Sequence, residues 1–221
     1  MTDRTAVRTH VGGYPLEKLR DHYRRYLFEE YLPFWSRYGI DHERGGFLCA
    51  LDHDGALVND GKYMWYQGRG LWVYSFLYEN FSGDEHLEVA RRTRDLLLRC
   101  GRDTHGDWVQ ALTRTGQVAA PATRQGYAGL FVAEGLQAYA RATGDEEAME
   151  VALASLRRAS AILDDPDRYF EEGYLPLSFR GQRTQGQHMV LLLIITQLLE
   201  QRGDAGLEAL ADRVVAAIVE R

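Results

Sequence analysis

The helical periodicity of this chain repeats in pairs, and this repeat constrains the fold more than any other feature. Apolar residues recur at three- and four-residue steps in successive segments, and short Gly- or Asp-containing breaks separate the members of a pair. The repeat is roughly 40 to 60 residues long, and one member of each pair is richer in apolar or aromatic residues. The pairs are residues 63–80 with 84–100, 127–143 with 146–163, and 188–201 with 207–219. They predict an all-α fold in which inner and outer helices alternate around a toroid or solenoid.

Two short β-hairpins are predicted between these helices. Residues 47–51 alternate apolar with small or polar side chains before a turn at 52–55, and residues 107–118 repeat the plan around a Gly-containing turn. The toroid is therefore expected to carry short β-hairpin insertions.

The amino-terminal part of the chain adds one more helix to the pattern. Helical spacing extends over residues 14–38, and Pro33 is expected to bend or end this helix. Residues 1–13 are polar and are expected to be a flexible amino-terminal segment. No linker divides the remainder, so residues 14–221 are predicted to form one domain.

Composition excludes several classes of function. The chain has 221 residues, of which 45% are hydrophobic, which is enough for a sizeable core, and its net charge of −6 gives no basic surface for nucleic acid. The most apolar run, residues 189–195, is too short to span a bilayer, so we expect no membrane association and a cytoplasmic location. Cys49 and Cys100 lack metal-ligand spacing and are expected to be free thiols. No metal or other cofactor is predicted.

The aromatic stretch at residues 63–80 is interrupted by Gln67, Gly68, Arg69 and Gly70, where an ordinary buried helix would continue to pack. One interpretation is an amphipathic helix with a snorkelling arginine and surface aromatics. The other is the wall of a carbohydrate pocket, in which aromatic faces pack on sugar C–H groups and polar side chains bind oxygens. The pattern alone leaves both interpretations open.

Three motifs resemble the amino-terminal half of the N-acylglucosamine 2-epimerase family, which includes renin-binding protein, cellobiose 2-epimerases and aldose-ketose isomerases. They are residues 38–55 (YGIDHERGGFLCALDHDG), 62–69 (KYMWYQGR) and 140–145 (ARATGD). The resemblance covers about residues 14–205 and implies an (α/α)6 barrel. It also implies removal of the C2 proton of an open-chain aldose, followed by 2-epimerisation or aldose-ketose isomerisation of a small-molecule sugar.

The resemblance also implies the roles of individual residues. Arg69 matches the family's arginine after the glutamine and is expected to stabilise the charge of the enediolate. Trp65, Gln67 and Tyr127 are expected to line the substrate pocket. His188 is a further candidate for substrate binding, although a histidine at a helix start is an equally good interpretation. The family's catalytic histidine pair lies on later inner helices, so no residue of this chain is assigned as the acid-base pair.

Two other functions compete with an epimerase or isomerase. One is a non-catalytic sugar-binding half barrel that retains the Arg69 wall. The other is an (α/α)6 glycoside hydrolase, which needs carboxylates facing each other across a pocket. The pairs Asp41/Glu43 and Asp52/Asp54 lie in Gly-containing turns, where Asp is an ordinary choice. The hydrolase is disfavoured because the matching motifs resemble those of the epimerases rather than those of enzymes with a carboxylate pair.

The carboxyl-terminal helix remains in register up to residue 221. A ring of six hairpins would need about as much sequence again, so the chain is expected to form about half of a barrel and to be a truncated product that is inactive alone. The apolar faces of its inner helices, and the seam formed by residues 190–199 and 214–219, would then lack packing partners. Self-association is therefore expected.

Overall fold

The computed structural model describes residues 9–123, 126–165 and 185–220. The described chain begins with a two-residue hairpin, β1 (His10–Val11) paired with β2 (Tyr14–Pro15). Residues 1–8 of the amino-terminal segment expected to be flexible lie outside the described residues.

The first helical segment runs from Leu16 to Gly39. It consists of α1 (Leu16–Arg25), a π-helical stretch Tyr26–Tyr31, α2 (Leu32–Phe34) and a second π-helical stretch Trp35–Gly39. Pro33 does not end this segment, since the backbone is helical at Leu32 before it and at Trp35 after it. The helix predicted at 14–38 is thus present from Leu16 to Gly39, but Tyr14 and Pro15 lie in β2. It also contains wider π turns that periodicity does not indicate.

The two β insertions are linked more closely than predicted. The first hairpin is β3 (Ala50–Leu51) with β4 (Leu57–Asn59), and β5 (Lys62–Tyr63) follows it. The second hairpin is β6 (Val109–Leu112) with β7 (Val118–Ala122), and β5 pairs with β6. A three-stranded antiparallel sheet therefore joins the two repeats, and its β5 strand leads directly into the aromatic helix.

Alternating inner and outer helices form the body of the fold. The helices are α3 (Met64–Phe81), α4 (Asp84–Cys100), α5 (Tyr127–Thr143), α6 (Glu146–Asp164), α7 (Gln185–Gln201) and α8 (Ala205–Val219). α3 packs on α5 and α5 packs on α7, while α4, α6 and α8 each form a hairpin with the preceding inner helix. This arrangement confirms the predicted pairs and the all-α architecture with short β-hairpins.

The core lies between these helices in two apolar clusters. One joins α3, α4 and α5 around Leu71, Leu97 and Leu136, and the other joins α5 to α8 around Leu156 and Ile194. α5 contributes to both clusters and is buried along most of its length. Packing in both clusters therefore fixes the position of α5, including the part of its surface that belongs to neither cluster. Within the described residues, no helix is both long and apolar enough to cross a membrane.

Candidate functional site

Gln67 anchors α3 to the loop that carries Phe47. The Phe47 N–H donates to Gln67 Oε1 at 2.7 Å, and Gln67 Nε2 donates to the Phe47 carbonyl oxygen at 2.9 Å. The Gln67 side chain is fully buried, and Nε2 also reaches Cys49 Sγ at 3.4 Å. A Cβ at Gly70 would lie 2.1 Å from the Phe47 ring, so glycine is needed there. The structure therefore places Gln67 behind the site, where it fixes the backbone of a neighbouring loop.

The glycine between Gln67 and Arg69 permits close contact between two inner helices. A Cβ at Gly68 would lie 2.2 Å from the Phe131 carbonyl oxygen, and one at Gly135 would lie 2.4 Å from the Gly68 carbonyl oxygen. The backbones of α3 and α5 thus meet directly at these positions. Because Arg69 follows Gly68, this contact brings its side chain against α5.

Four side chains form the aromatic–arginine cluster: Trp65, Arg69, Tyr127 and Phe131. Arg69 Cζ lies 5.1 Å from the centroid of the Phe131 ring, within cation–π range. Tyr127 stacks on Phe131 with 6.2 Å between ring centroids and 12° between ring planes, and Trp65 lies 6.0 Å from the same ring. Three sequence-predicted residues, Trp65, Arg69 and Tyr127, are thus brought together around Phe131, which sequence reasoning did not identify.

The start of α7 approaches the same cluster. A Cβ at Gly186 would lie 2.8 Å from Tyr127 Oη. The ends of α3, α5 and α7 therefore converge where the exposed guanidinium of Arg69 and the half-buried rings of Trp65 and Tyr127 lie. This is a surface with flat apolar faces and a fixed cation.

A buried carboxylate lies one helical turn from this cluster. Glu134 is 7% exposed, and its position three residues after Phe131 and seven after Tyr127 places all three on one face of α5. Burial raises the pKa of Glu134, and the positive charge of Arg69 opposes that rise. The helical spacing from Tyr127 was the signal in the sequence that could have identified it.

His188 occupies a different part of the fold. It is largely buried and lines a cleft of about 280 Å³ together with Ser160 and Leu163 of α6 and Val214 of α8. Its role in substrate binding remains a prediction. His188 therefore faces a cleft between its own inner helix, α7, and the outer helices α6 and α8.

The loop before β3 is held by a buried ion pair. Lys62 Nζ lies 2.9 Å from Asp41 Oδ2, both side chains are fully buried, and Arg114 Nε donates to the same oxygen at 3.0 Å. Burial alone would raise the pKa of Asp41, but hydrogen bonds from Arg114 and Lys62 outweigh it and hold the pKa at about 2. Lys62 Nζ also donates to the Gly45 carbonyl oxygen at 2.7 Å. Asp41 thus serves the structure of the loop beside Phe47.

Potential metal ligands do not assemble in the part of the chain that the structure describes: no three His, Cys, Asp or Glu side chains there are arranged to hold an ion. Cys49 and Cys100 are free thiols, as predicted. Burial raises the pKa of Cys49 to about 11, so this thiol is a poor nucleophile.

The fold has inner helices that pack on outer helices, and the aromatic–arginine cluster lies where the inner helices converge. This arrangement defines a toroid of the (α/α)6 class. The solved structure of cellobiose 2-epimerase from Spirochaeta thermophila shares this fold, with a TM-score of 0.70 and 22% identity over 90% of this chain and 53% of that one. The family model for N-acylglucosamine 2-epimerase matches residues 45–221, and the chain belongs to this family.

Two curated relatives give the extent of the similarity. The N-acylglucosamine 2-epimerase of Bos taurus is 29% identical over 178 residues, which are 78% of this chain and 40% of the bovine protein. The cellobiose 2-epimerase of Bacteroides fragilis is 30% identical over 147 residues, which are 62% of this chain and 35% of that protein. The chain thus spans less than half the length of these curated relatives.

Proposed function

We propose that this chain forms the sugar-binding wall of a carbohydrate epimerase or isomerase, with Arg69 as the residue that stabilises the reaction intermediate. The observation that carries the proposal is the position of Arg69 above Phe131, flanked by Trp65 and Tyr127. Family membership supports a sugar as the ligand. The names of the relatives suggest N-acylglucosamine and cellobiose as the first sugars to test.

The cluster suits the two kinds of surface that a sugar presents. The C–H faces of a sugar pack on aromatic rings, and Trp65 and Tyr127 are aromatic residues that are only half-buried. Sugar oxygens need hydrogen-bond donors, and the guanidinium of Arg69 supplies several in a planar array. Packing against Phe131 restricts where that guanidinium can point.

The proposed reaction removes the proton on C2 of an open-chain aldose, next to the C1 carbonyl. Two electrons of the broken C–H bond then form the enediolate, and negative charge develops on the C1 oxygen. Arg69 stabilises that charge because its guanidinium is positively charged and can donate hydrogen bonds to the C1 oxygen. Return of a proton to C2 from the other face inverts this centre, and return to C1 gives a ketose. We assign no residue of this chain as the acid or the base.

Gln67 has a positioning role in this proposal. Its amide holds the Phe47 backbone, and the Phe47 ring packs beside Gly70 in the turn that carries Arg69. The direction of the Arg69 side chain therefore depends on this buried amide. Direct contact between Gln67 and a sugar is not part of the proposal.

Binding of sugar by the 221-residue chain is the first test. Saturation-transfer NMR with N-acetylglucosamine and cellobiose should show transfer to the sugar C–H protons, and Arg69→Ala should weaken binding roughly tenfold. Arg24→Ala is a matched control, because Arg24 Cζ lies at the same 5.1 Å from the ring of Phe28, far along the chain from the cluster. Equal binding by wild type and Arg69→Ala would contradict the proposed site.

A further inference from the structure

Glu134 differs in its surroundings from Asp41, the other buried carboxylate among the residues that the structure describes. Asp41 accepts hydrogen bonds from Lys62, Arg114 and the backbone N–H of Arg44. Glu134 is also more than nine-tenths buried, yet its carboxylate forms no hydrogen bond or ion pair with any residue that the structure describes.

The placement of Glu134 directs it toward the site. Tyr127, Phe131 and Glu134 stand at i, i+4 and i+7 on α5, so they share one face of the helix. Tyr127 and Phe131 both belong to the aromatic–arginine cluster, and Arg69 is close enough to Glu134 to act on it electrostatically. The two opposite charges nevertheless do not form an ion pair, so each retains hydrogen-bonding capacity.

We propose that Glu134 binds a hydroxyl group of the substrate and makes the site selective for neutral sugars over anionic ones, such as uronic acids. This inference rests on the proposed function of the cluster. A hydroxyl group can donate to the Glu134 carboxylate and accept from the Arg69 guanidinium at the same time. An anionic substituent can do only the second, and its charge is repelled by the carboxylate.

Charge balance explains why Arg69 needs such a neighbour. A lone arginine beside aromatic rings would attract any carboxylate or phosphate, because guanidinium binds those groups bidentately. Glu134 offsets this attraction for an anionic group in the site. Selectivity of this kind depends on a repulsive element as well as an attractive one.

The test compares D-glucose with D-glucuronic acid, which differ only at C6, by NMR titration of the 221-residue chain at mildly alkaline pH. Glu134→Gln keeps the shape of the side chain and removes its charge. We expect the ratio of glucuronate to glucose affinity to rise roughly tenfold in this variant. Glu150→Gln removes an exposed charge from α6 and should leave the ratio unchanged.

Each other outcome has a defined meaning. An unchanged ratio in Glu134→Gln, with both sugars still bound, overturns the role of Glu134 and leaves the proposed function intact. Failure of the wild-type chain to bind either sugar contradicts the proposed function and this inference with it. Thermal unfolding supplies a second criterion: Glu134→Gln should be at least as stable as wild type, because it removes a buried charge. A variant that fails to fold would show that the carboxylate serves the fold and would overturn the proposal.

Discussion

Gln67 and Phe47 are joined by two hydrogen bonds that pair a side-chain amide with both backbone polar groups of one residue. Gln67→Leu keeps most of the volume but leaves the buried Phe47 N–H and carbonyl oxygen without partners. The expected loss in free energy of unfolding is roughly 2–4 kcal/mol, measured by urea denaturation. Gln117→Leu, at an exposed turn, is the control and should change stability little. A Gln67→Leu variant as stable as this control would contradict the anchoring role.

Contact between the backbones of α3 and α5 predicts an asymmetric response to alanine at two helical glycines. Gly68→Ala places a Cβ against the Phe131 carbonyl oxygen, so the helices must separate, at a cost of about 1–3 kcal/mol or more. Gly129→Ala on α5 meets its nearest atom at 3.5 Å, and it should stabilise the helix by roughly 0.5–1 kcal/mol. Thermal unfolding of the two variants measures both effects. Equal effects of the two substitutions would argue against close packing at Gly68.

Acid should weaken the buried Asp41–Lys62 pair in a defined range of pH. The folded pKa of Asp41, about 2, is below its ordinary value of 3.8, so the carboxylate stabilises the fold above that ordinary value and loses this contribution as pH falls toward 2. The contribution is roughly 2 kcal/mol at neutral pH. Urea denaturation at a series of pH values should show this loss in wild type.

The matched variants for this prediction are Asp41→Asn and Asp212→Asn. Asp41→Asn should be less stable than wild type at neutral pH by about 3–5 kcal/mol, because it leaves Lys62 buried without a counter-charge. It should also lack the wild-type decline between pH 4 and 2. Asp212 is exposed on α8, and its variant should follow the wild-type curve. A wild-type decline that persists in Asp41→Asn would assign the acid sensitivity to other groups.

Exposed apolar side chains on α7 predict self-association of the 221-residue chain. Met189 is 55% exposed and Leu193 is 47% exposed, one helical turn apart. Sedimentation velocity should show a concentration-dependent oligomer, and Leu193→Glu should shift it toward monomer. Val58→Glu, at a more exposed position on β4, should not. A monomer at all concentrations would contradict this prediction.

The helices were predictable from sequence because their signals are local. Periodic apolar residues and capping residues identify a helix without knowledge of its partners, and the predicted range 127–143 matches α5 at both ends. Asp145 and Asp204, at the breaks between paired helices, accept hydrogen bonds from the first turns of α6 and α8. Local chemistry therefore fixes where the outer helices begin.

Pairing across the chain was not predictable in the same way. β5 consists of only Lys62 and Tyr63, and its pairing with β6 depends on a partner about fifty residues away. The burial of Lys62 against Asp41 follows from that pairing, so the sequence suggested only a turn at Asp41. A charged residue is buried here because three-dimensional neighbours supply its partner, which no local pattern indicates.

Some residues of the candidate site were likewise predictable from local sequence, and others only from contacts between helices. Trp65, Arg69 and Tyr127 were identified from the resemblance of short motifs, and the structure brings them together around Phe131. Phe131 and Glu134 are a core aromatic and a helix glutamate by pattern alone, and only the contact between α3 and α5 relates them to Arg69. Gln67 lies in the same motif but faces the Phe47 loop.

Exchange of the C2 proton with solvent tests the central role of Arg69 most directly. The 221-residue chain is incubated with N-acetylglucosamine or cellobiose in D2O, and deuterium at C2 is measured by NMR for wild type, Arg69→Ala and Arg24→Ala. Imidazole is added as the base, because no residue of this chain is assigned that role. With it, we expect wild type and Arg24→Ala to exchange the proton at equal rates and Arg69→Ala to be slower by roughly a hundredfold. Binding of sugar by wild type without exchange would favour a non-catalytic sugar-binding function. Exchange at the wild-type rate in Arg69→Ala would contradict the role of Arg69.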